Sequence, residues 1–241
     1  MEKVYFISDV HIGAGHSEQD NERVKRLSAF LKSINSPGNT LFIVGDLFDF
    51  WFEYKYVVPK SQFNIFFHFY NLIQNGVEVH FLPGNHDYWT RDFFAKEVGF
   101  IMHPETMGTT LQGRKVFFFH GDGVSSKDKG YQLLKKIFRN RFNIFLYRWL
   151  HPDLGVPLAR LTSNTSRHHT ANTVLKDEQD YLAFAVDKFE KGYDIVVMGH
   201  AHRPSLDEID GKFFINLGDW ISNNSYGVLY NGNLTLEYWN A

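Results

Sequence analysis

The sequence predicts an α/β fold built on a buried parallel sheet. Leu41–Val44 is an uninterrupted apolar run, and so short a run is typical of a strand buried on both faces. Gly45 and Asp46 follow it, and similar runs elsewhere also end in side chains that can bind a metal. After the first run, apolar residues recur at helical spacing: Val24, Leu27, Phe30, Leu31 and Ile34. These observations indicate a strand–helix–strand unit with a right-handed crossover.

Composition sets the limits of the prediction. The 241 residues are 44% hydrophobic and 22% charged, which suits one large globular domain or two small ones and excludes a disordered chain. The net charge of -2 argues against a general nucleic-acid binder. The absence of cysteine excludes disulfides and thiolate metal sites. A strand predicted from Val4 leaves no room for a signal peptide, and no apolar run approaches the roughly 20 residues of a membrane helix.

The other elements follow from the same patterns. The predicted strands are Val4–Ile7, Leu41–Val44, Val77–Leu82, Lys115–Phe119 and Asp194–Met198. The predicted helices begin near Asn21, Ser61 and Lys176, with a short one around Phe93. Residues 123–172 break the alternation and predict two or three helices. The tail predicts short strands at 212–217, 226–230 and 234–239, in an antiparallel continuation or a second sheet.

Five predicted strands end in side chains with metal-binding atoms. These residues are Asp9, His11, Asp46, Asn85, His86, His120, His200 and His202. Each short motif is weak alone, and Gly-Asn-His-Asp could be an ordinary turn. Their recurrence after strands made of Val, Ile, Phe and Leu predicts a metal site. Aspartate, imidazole and amide ligands without sulfur suit Mn, Fe(II), Zn or Co better than Ca or Cu(I).

The ligand set predicts two metal ions. A carboxylate can bridge two cations about 3.5–4 Å apart, and Asp46 lies after a central strand. We expect both ions to share Asp46. One ion would also take Asp9, His11 and His202, and the other Asn85, His120 and His200. Two such ions lower the pKa of a shared water and neutralise a phosphoryl group.

Three neighbouring residues are predicted to assist. We predict His86 and Asp87 as catalytic residues, with His86 protonating the leaving oxygen or stabilising phosphoryl charge. Asp49 and Asp87 are also candidates to orient imidazoles; alternatively, both are turn-forming aspartates.

The motifs together resemble the five-part signature of calcineurin-like metallophosphoesterases. They are Asp9-x-His11, Gly45-Asp46-x-x-Asp49, Gly84-Asn85-His86-Asp87, the lone His120 and Gly199-His200-x-His202. The resemblance implies a four-layer αββα sandwich of two mixed sheets. It also implies one domain over residues 1–241, with 123–172 as a helical insertion that forms a cap.

One branch of that superfamily is most similar. His120-Gly121-Asp122, Asp128, Tyr131-Gln132, Trp51 and Gly199–Pro204 resemble UDP-2,3-diacylglucosamine pyrophosphohydrolases of lipid A biosynthesis. The resemblance implies attack at the α-phosphorus, UMP and 2,3-diacylglucosamine 1-phosphate as products, and Mn as the usual metal. It also implies a cytoplasmic enzyme, peripheral on the inner membrane. Asp128 and Tyr131 would contact the substrate, and Arg167 could reach a phosphate. The best-known members carry arginine where this chain has His86.

The insertion 123–172 is where substrate choice should lie. It carries nine lysines and arginines against Asp128 and Asp153, interleaved with apolar side chains. This pattern indicates either a membrane-surface element or a helical hairpin packed on the domain with a solvated basic face. The resemblance favours a lipid-binding cap.

Other functions stay open at this point. Another phosphoesterase is one: a nucleotide-sugar pyrophosphatase, a cyclic-nucleotide phosphodiesterase or a protein phosphatase. A non-catalytic scaffold of the same fold is another, although scaffolds lose metal ligands or the histidine of Gly-Asn-His. Every such position is filled here.

The lipid-binding cap generates a first prediction. We expect Tyr131→Ala and Phe138→Asp to lower hydrolysis of the diacyl substrate and to spare a small chromogenic phosphodiester, because only the lipid needs the cap. Steady-state rates on both substrates test this. Equal losses on both would exclude a role in lipid recognition.

Overall fold

The computed structural model describes residues 2–14, 17–124 and 129–240. Its strands are β1 (Val4–Ile7), β2 (Thr40–Val44), β3 (Glu78–Leu82), β4 (Ile101–Met102), β5 (Thr106–Leu111), β6 (Arg114–Phe119), β7 (Ile195–Met198), β8 (Ser205–Ile209), β9 (Lys212–Asn216), β10 (Ser225–Tyr230) and β11 (Asn233–Tyr238). Its helices are α1 (Ser17–Ser33), α2 (Phe63–Gln74), α3 (Lys129–Phe138), α4 (Arg141–Arg148) and α5 (Pro152–Glu190). A 3₁₀ turn (Lys60–Gln62) precedes α2, and a π turn spans Phe94–Val98.

The strands form two mixed sheets. The first has the order β11-β10-β1-β2-β3-β4 and the second β5-β6-β7-β9-β8. In the first sheet β1 to β4 are parallel, β10 pairs antiparallel with β1, and β11 pairs antiparallel with β10. In the second, β6, β7 and β9 are parallel, and β5 and β8 are antiparallel edge strands. The predicted two mixed sheets are confirmed. A single parallel sheet, which the apolar runs alone suggest, is not what forms.

Alternate residues of β1 and β2 explain why both faces of the first sheet are buried. Phe6 and Phe42 point to the second sheet, where the Phe42 ring stacks on Phe118 with centroids 4.6 Å apart. Tyr5 and Ile7 point the other way, to the helices. Burial of each such side chain contributes about 1.5–3 kcal/mol. A core therefore lies on each side of this sheet.

Helices cover the outer faces and complete four layers. Helices α1 and α2 pack on the first sheet through Leu27, Phe30 and Phe69, among others. The last turns of α5 cover the second sheet, where Tyr181, Ala185 and Phe189 contact Val196, Met198 and Phe214. The earlier part of α5, together with α3 and α4, falls largely in the segment 123–172 that was predicted to form a cap.

Two predicted helix boundaries are wrong. Helix α1 begins at Ser17 instead of Asn21. Helix α5 begins at Pro152 and continues to Glu190, so no new helix starts at Lys176. The polar run Ser163–Thr173 lacks the apolar periodicity on which the sequence argument depended, and the backbone is helical there all the same. The proposed limit of the insertion at residue 172 thus has no counterpart in a backbone break.

No helix in the described part of the chain combines the length and the apolar character needed to cross a bilayer.

Two neighbouring histidines, His80 in β3 and His103 just after β4, lead to a prediction about the stability of the fold. The Nδ1 atom of His80 lies 2.8 Å from Nε2 of His103, and the His80 ring stacks on Phe42. Burial lowers the pKa of His80, although the Glu78 carboxylate acts against it, and burial and His80 lower the pKa of His103. The unfolded chain therefore binds more protons than the fold below about pH 6.5.

We expect the free energy of unfolding of the parent to fall relative to that of His103→Gln as the pH drops from 7.5 to 5.5, because the glutamine amide can still bond to His80 but takes up no proton. Groups whose pKa the fold raises, such as His11 and Asp87, are common to both proteins and cancel in this comparison. Urea midpoints at the two pH values, in metal-free buffer, measure this. Parallel losses in parent and variant would show that the pair does not contribute.

Candidate metal centre

Five strand ends from both sheets meet at one place. Asp9 and His11 follow β1, Asp46 follows β2, and Asn85 and His86 follow β3. From the second sheet, His120 follows β6, and His200 and His202 follow β7. Backbone hydrogen bonds tie these ends together, as from His11 N to the Asp46 carbonyl at 3.0 Å. The structure therefore brings together every metal ligand proposed from the sequence.

One group of ligands consists of Asp9, His11 and His202. Oδ1 of Asp9 lies 3.4 Å from Nε2 of His11 and 3.2 Å from Nε2 of His202. The two Nε2 atoms are 3.2 Å apart. Three donor atoms of metal-binding type thus surround one point.

A second group consists of Asp46, His120 and His200. Nε2 of His120 lies 3.2 Å from Oδ2 of Asp46 and 3.1 Å from the amide oxygen of Asn85. Nδ1 of His120 lies 2.9 Å from the Val44 carbonyl, which can only accept a hydrogen bond. The ring therefore carries its hydrogen on Nδ1, and Nε2 offers its lone pair to the centre.

The Asp46 carboxylate lies between the two groups. Its Oδ1 accepts a hydrogen bond from the His86 amide at 2.9 Å. Its Oδ2 lies 3.2 Å from Nε2 of His120 and 3.8 Å from Nε2 of His11. One oxygen of Asp46 thus faces both groups, while the other is fixed by the backbone.

The donor set fits two divalent cations. Oδ1 of Asp9 is fully buried and has no hydrogen-bond partner among the described residues, as expected for an oxygen reserved for a metal. Burial opposes the ionisation of Asp9, yet His202 and His11 hold its pKa well below the usual value. Burial would lower the pKa of His11, but Asp49 and Asp9 raise it to about 9. The centre thus holds ionised carboxylates beside imidazoles.

Five of these ligands adopt a left-handed backbone conformation. The φ angles are 52° for Asp9, 50° for His11, 54° for Asp46, 65° for His200 and 53° for His202. This conformation costs roughly 1–2 kcal/mol for a residue with a Cβ atom. Its concentration at these strand ends marks backbone strain held by the surrounding fold.

Close backbone contacts explain two of the motif glycines. A Cβ atom on Gly84 would lie 2.1 Å from Oδ1 of Asp46, and one on Gly199 would lie 1.9 Å from Oγ of Ser8. Any side chain at either position would push a ligand out of place. The glycines of Gly-Asn-His-Asp and Gly-His-x-His therefore have a steric role beside the metal ligands.

Asp87 holds two of the loops together. Its buried carboxylate accepts hydrogen bonds from the backbone amides of Asp46, Leu47 and Phe48 and from that of Gly84, at 2.7–3.4 Å. Burial and the Asp46 charge raise its pKa to about 7, against the effect of these amides. The geometry favours a positioning role over the catalytic role predicted from the sequence.

His86 lies beside both groups. Its Nδ1 is 2.8 Å from the Asp49 carbonyl, and its Nε2 is 3.9 Å from Oδ2 of Asp46. Burial lowers its pKa, although Asp46 acts against this. The Asp49 carboxylate lies 3.5 Å from Nδ1 of His11, where it can orient that imidazole as predicted for it.

Several supporting residues were missed in the sequence. Ser8 donates from Oγ to Oδ2 of Asp9 at 2.6 Å. Asp219 accepts hydrogen bonds from the amides of Ile221 and Ser222 and from the Asn223 side chain, which also donates to the His202 carbonyl. Ser8 could have been noted because it precedes Asp9. Asp219 stands in a polar turn with no pattern that distinguishes it.

The proposed substrate residues lie outside the described atoms. Asp128 is not among the described residues, and Tyr131 and Arg167 are described only as backbone within α3 and α5. Their contact with substrate therefore stays a prediction.

The segment predicted as a cap contacts the core next to the candidate metal centre. Asp122, two residues after His120, pairs with Lys135 at 2.5 Å and with Arg139 at 3.5 Å. The Trp89 indole donates to the Phe138 carbonyl at 2.9 Å. A cavity of about 410 Å³ lies between α4 and the core, lined among others by Phe52, Tyr88, Trp89, His103, Ile144 and Arg148.

Comparisons with known proteins agree with this geometry. The model of the family described as calcineurin-like phosphoesterase matches residues 2–204. The UDP-2,3-diacylglucosamine hydrolase of Porphyromonas gingivalis is 34% identical, over 98% of this chain and 97% of that protein. A protein of the same name from Aeromonas hydrophila is 30% identical, over 96% of this chain and 96% of that protein. Another, from Haemophilus influenzae, is 28% identical, over 92% of this chain and 92% of that protein.

The match covers the motifs of all five strand ends, from Asp9 to His202, and the sandwich of two mixed sheets was predicted from the same resemblance. The predicted family and fold class are both confirmed, and the chain belongs to the calcineurin-like phosphoesterase family.

Proposed function

We propose that this protein hydrolyses the pyrophosphate of UDP-2,3-diacylglucosamine at the α-phosphorus, giving UMP and 2,3-diacylglucosamine 1-phosphate. The observation that carries the chemistry is the position of Oδ2 of Asp46, which lies 3.2 Å from Nε2 of His120 in one ligand group and 3.8 Å from Nε2 of His11 in the other. The substrate is supported by relatives named for it, which align with nearly the full length of this chain.

The centre is proposed to hold two divalent cations, with Mn preferred and Fe, Zn or Co as alternatives. Asp9, His11 and His202 would hold one, Asn85, His120 and His200 the other, and Asp46 would contact both. When bound, the cations supply activation of a water nucleophile and neutralisation of phosphoryl charge. A donor set of carboxylate, imidazole and amide without thiolate suits these metals.

His86 is proposed to move the proton. Because its Nδ1 donates to the Asp49 carbonyl, Nε2 is the atom that can hold or release a proton. That atom faces Asp46, at the edge of both ligand groups. There it can protonate the leaving phosphate oxygen of the sugar 1-phosphate or stabilise its charge.

The cap is proposed to bind the lipid part of the substrate. Asp128, Tyr131 and Arg167 would contact the sugar phosphate. The cavity beneath α4 has aromatic walls, and two of its lining residues, Tyr88 and Trp89, closely follow His86 in the sequence. The cap also exposes apolar side chains between its basic ones, namely Leu133, Phe142, Phe145, Leu146 and Trp149. We propose that this surface contacts the cytoplasmic face of the inner membrane.

Metal content gives one prediction. Asp46→Asn should lower the bound metal to less than half and reduce turnover of a chromogenic phosphodiester about 10³-fold, because both groups lose a shared charge. His86→Gln is the matched control: it should keep the full metal content and lose turnover about 10²-fold. Elemental analysis and rate measurements test both. Full metal in Asp46→Asn would exclude the shared ligand.

Product analysis tests the proposed substrate. We expect the protein with Mn and UDP-2,3-diacylglucosamine, in detergent and ¹⁸O-labelled water, to give labelled UMP and unlabelled sugar 1-phosphate by mass spectrometry. Label in the sugar 1-phosphate would place attack on the other phosphorus. Absence of turnover in a sample that cleaves the chromogenic diester would exclude the lipid and favour another phosphoesterase, with His86 as the first clue.

A further inference from the structure

Helix α2 exposes aromatic side chains on the face that an amphipathic helix normally keeps polar. Its inner face buries Ile65, Phe66, Phe69 and Leu72. On the outer face Phe63, Phe67 and Tyr70 lie at helical spacing and are 71%, 55% and 46% exposed. A helix that only covers a sheet would carry charged residues there. A row of exposed aromatics instead marks an interaction surface.

The loop before α2 continues this surface. Tyr56 is 84% exposed, and Val57 and Val58 are about half exposed. Three apolar side chains in succession at this exposure are unusual for a loop, which normally carries polar residues. The 3₁₀ turn Lys60–Gln62 connects them directly to Phe63.

The charge of the segment from Tyr54 to Gln74 indicates the kind of partner that it would bind. The chain contains 27 acidic residues among 241, yet none lies between Tyr54 and Gln74, where the only fully charged side chains are Lys55 and Lys60. The cap helices show the same pattern: from Lys129 to Pro152 there are six lysines and arginines and no acidic residue. Aromatic and basic side chains without acidic ones are the composition that suits an anionic lipid surface.

The two regions adjoin in the fold. The Tyr54 ring lies 6.5 Å from the ring of Tyr147 in α4, and a Cβ atom on Gly155, in the first turn of α5, would come within 2.6 Å of the Tyr54 hydroxyl. The loop that begins at Tyr54 therefore starts against the cap and leads away from it to α2. The cap therefore contacts the start of this loop, and the loop connects the cap along the chain to the exposed face of α2.

We propose that residues 55–70 form a second membrane-docking element, which binds anionic lipid headgroups through Lys55 and Lys60 and inserts Tyr56, Phe63 and Phe67 at the interface. The inference extends the membrane contact proposed for the cap and rests on that part of the proposed function. It places the protein on the membrane through two elements instead of through the cap alone.

Vesicle binding by the full chain tests the proposal. The parent should co-sediment with vesicles of phosphatidylglycerol and phosphatidylethanolamine and bind phosphatidylcholine vesicles weakly. Phe63→Ser/Phe67→Ser should weaken binding to the anionic vesicles at least about ten-fold, because each phenylalanine buries apolar area at the interface. The matched control is Asn64→Ser/Gln74→Ser, which alters exposed polar positions of the same helix and should bind as the parent does.

A second variant keeps the test independent of helix stability. Lys55→Gln/Lys60→Gln should weaken anionic-vesicle binding about five-fold per lysine and leave phosphatidylcholine binding unchanged. Turnover of the chromogenic phosphodiester should equal that of the parent in all these variants, so a failure of docking is distinguishable from a failure of the metal centre.

Two results would overturn the proposal. One is vesicle binding by the phenylalanine and lysine variants equal to that of the parent. The other is a change in oligomeric mass in solution without a change in vesicle binding, which would make the α2 face a contact between copies of this chain.

Discussion

The position of the Asp46 carboxylate is the constraint on which the rest of the centre depends. One of its oxygens faces both ligand groups, and the other is held by the His86 amide. That arrangement requires a left-handed backbone at Asp46, just after β2, and a glycine at position 84, where a side chain would clash with Asp46. It also requires Asp87 to accept hydrogen bonds from the amides of residues 46–48. The fold, the backbone strain and the close contact at Gly84 therefore all act to position the Asp46 side chain.

Both sheets contribute because neither alone could surround a pair of ions. Strands β1, β2 and β3 supply ligands from one side, and β6 and β7 supply three histidines from the other. The packed phenylalanines between the sheets, with Phe42 stacked on Phe118, fix the separation of these strand ends. The interior between the sheets thus contributes to the distance between His120 and Asp46, and one of its residues, Val44, also accepts a hydrogen bond from the His120 ring.

The sequence predicted which side chains meet at the candidate metal centre because each follows a buried strand, and buried strands have a clear apolar pattern. It failed where that pattern is absent. Strand β5 alternates exposed and half-buried residues at a sheet edge, and β4 has two residues, so neither gives a strong signal. The polar middle of α5 concealed a continuous helix. The roles of Asp87 and Asp219 depend on backbone amides brought near by folding, which spacing along the chain cannot show.

The length of α5 has a consequence for how such a cap could be gained or lost. A helix of 39 residues spans about 58 Å, and it starts in the cap and ends as the cover of the second sheet. The segment proposed as a cap and the core therefore share one helix, so that segment is not a detachable module. A family member without it would need a new helix start near Asp180, with its own capping residue, to keep β7 covered. A cap could thus be exchanged between relatives only at a point where a helix can begin, and not simply by the replacement of a loop.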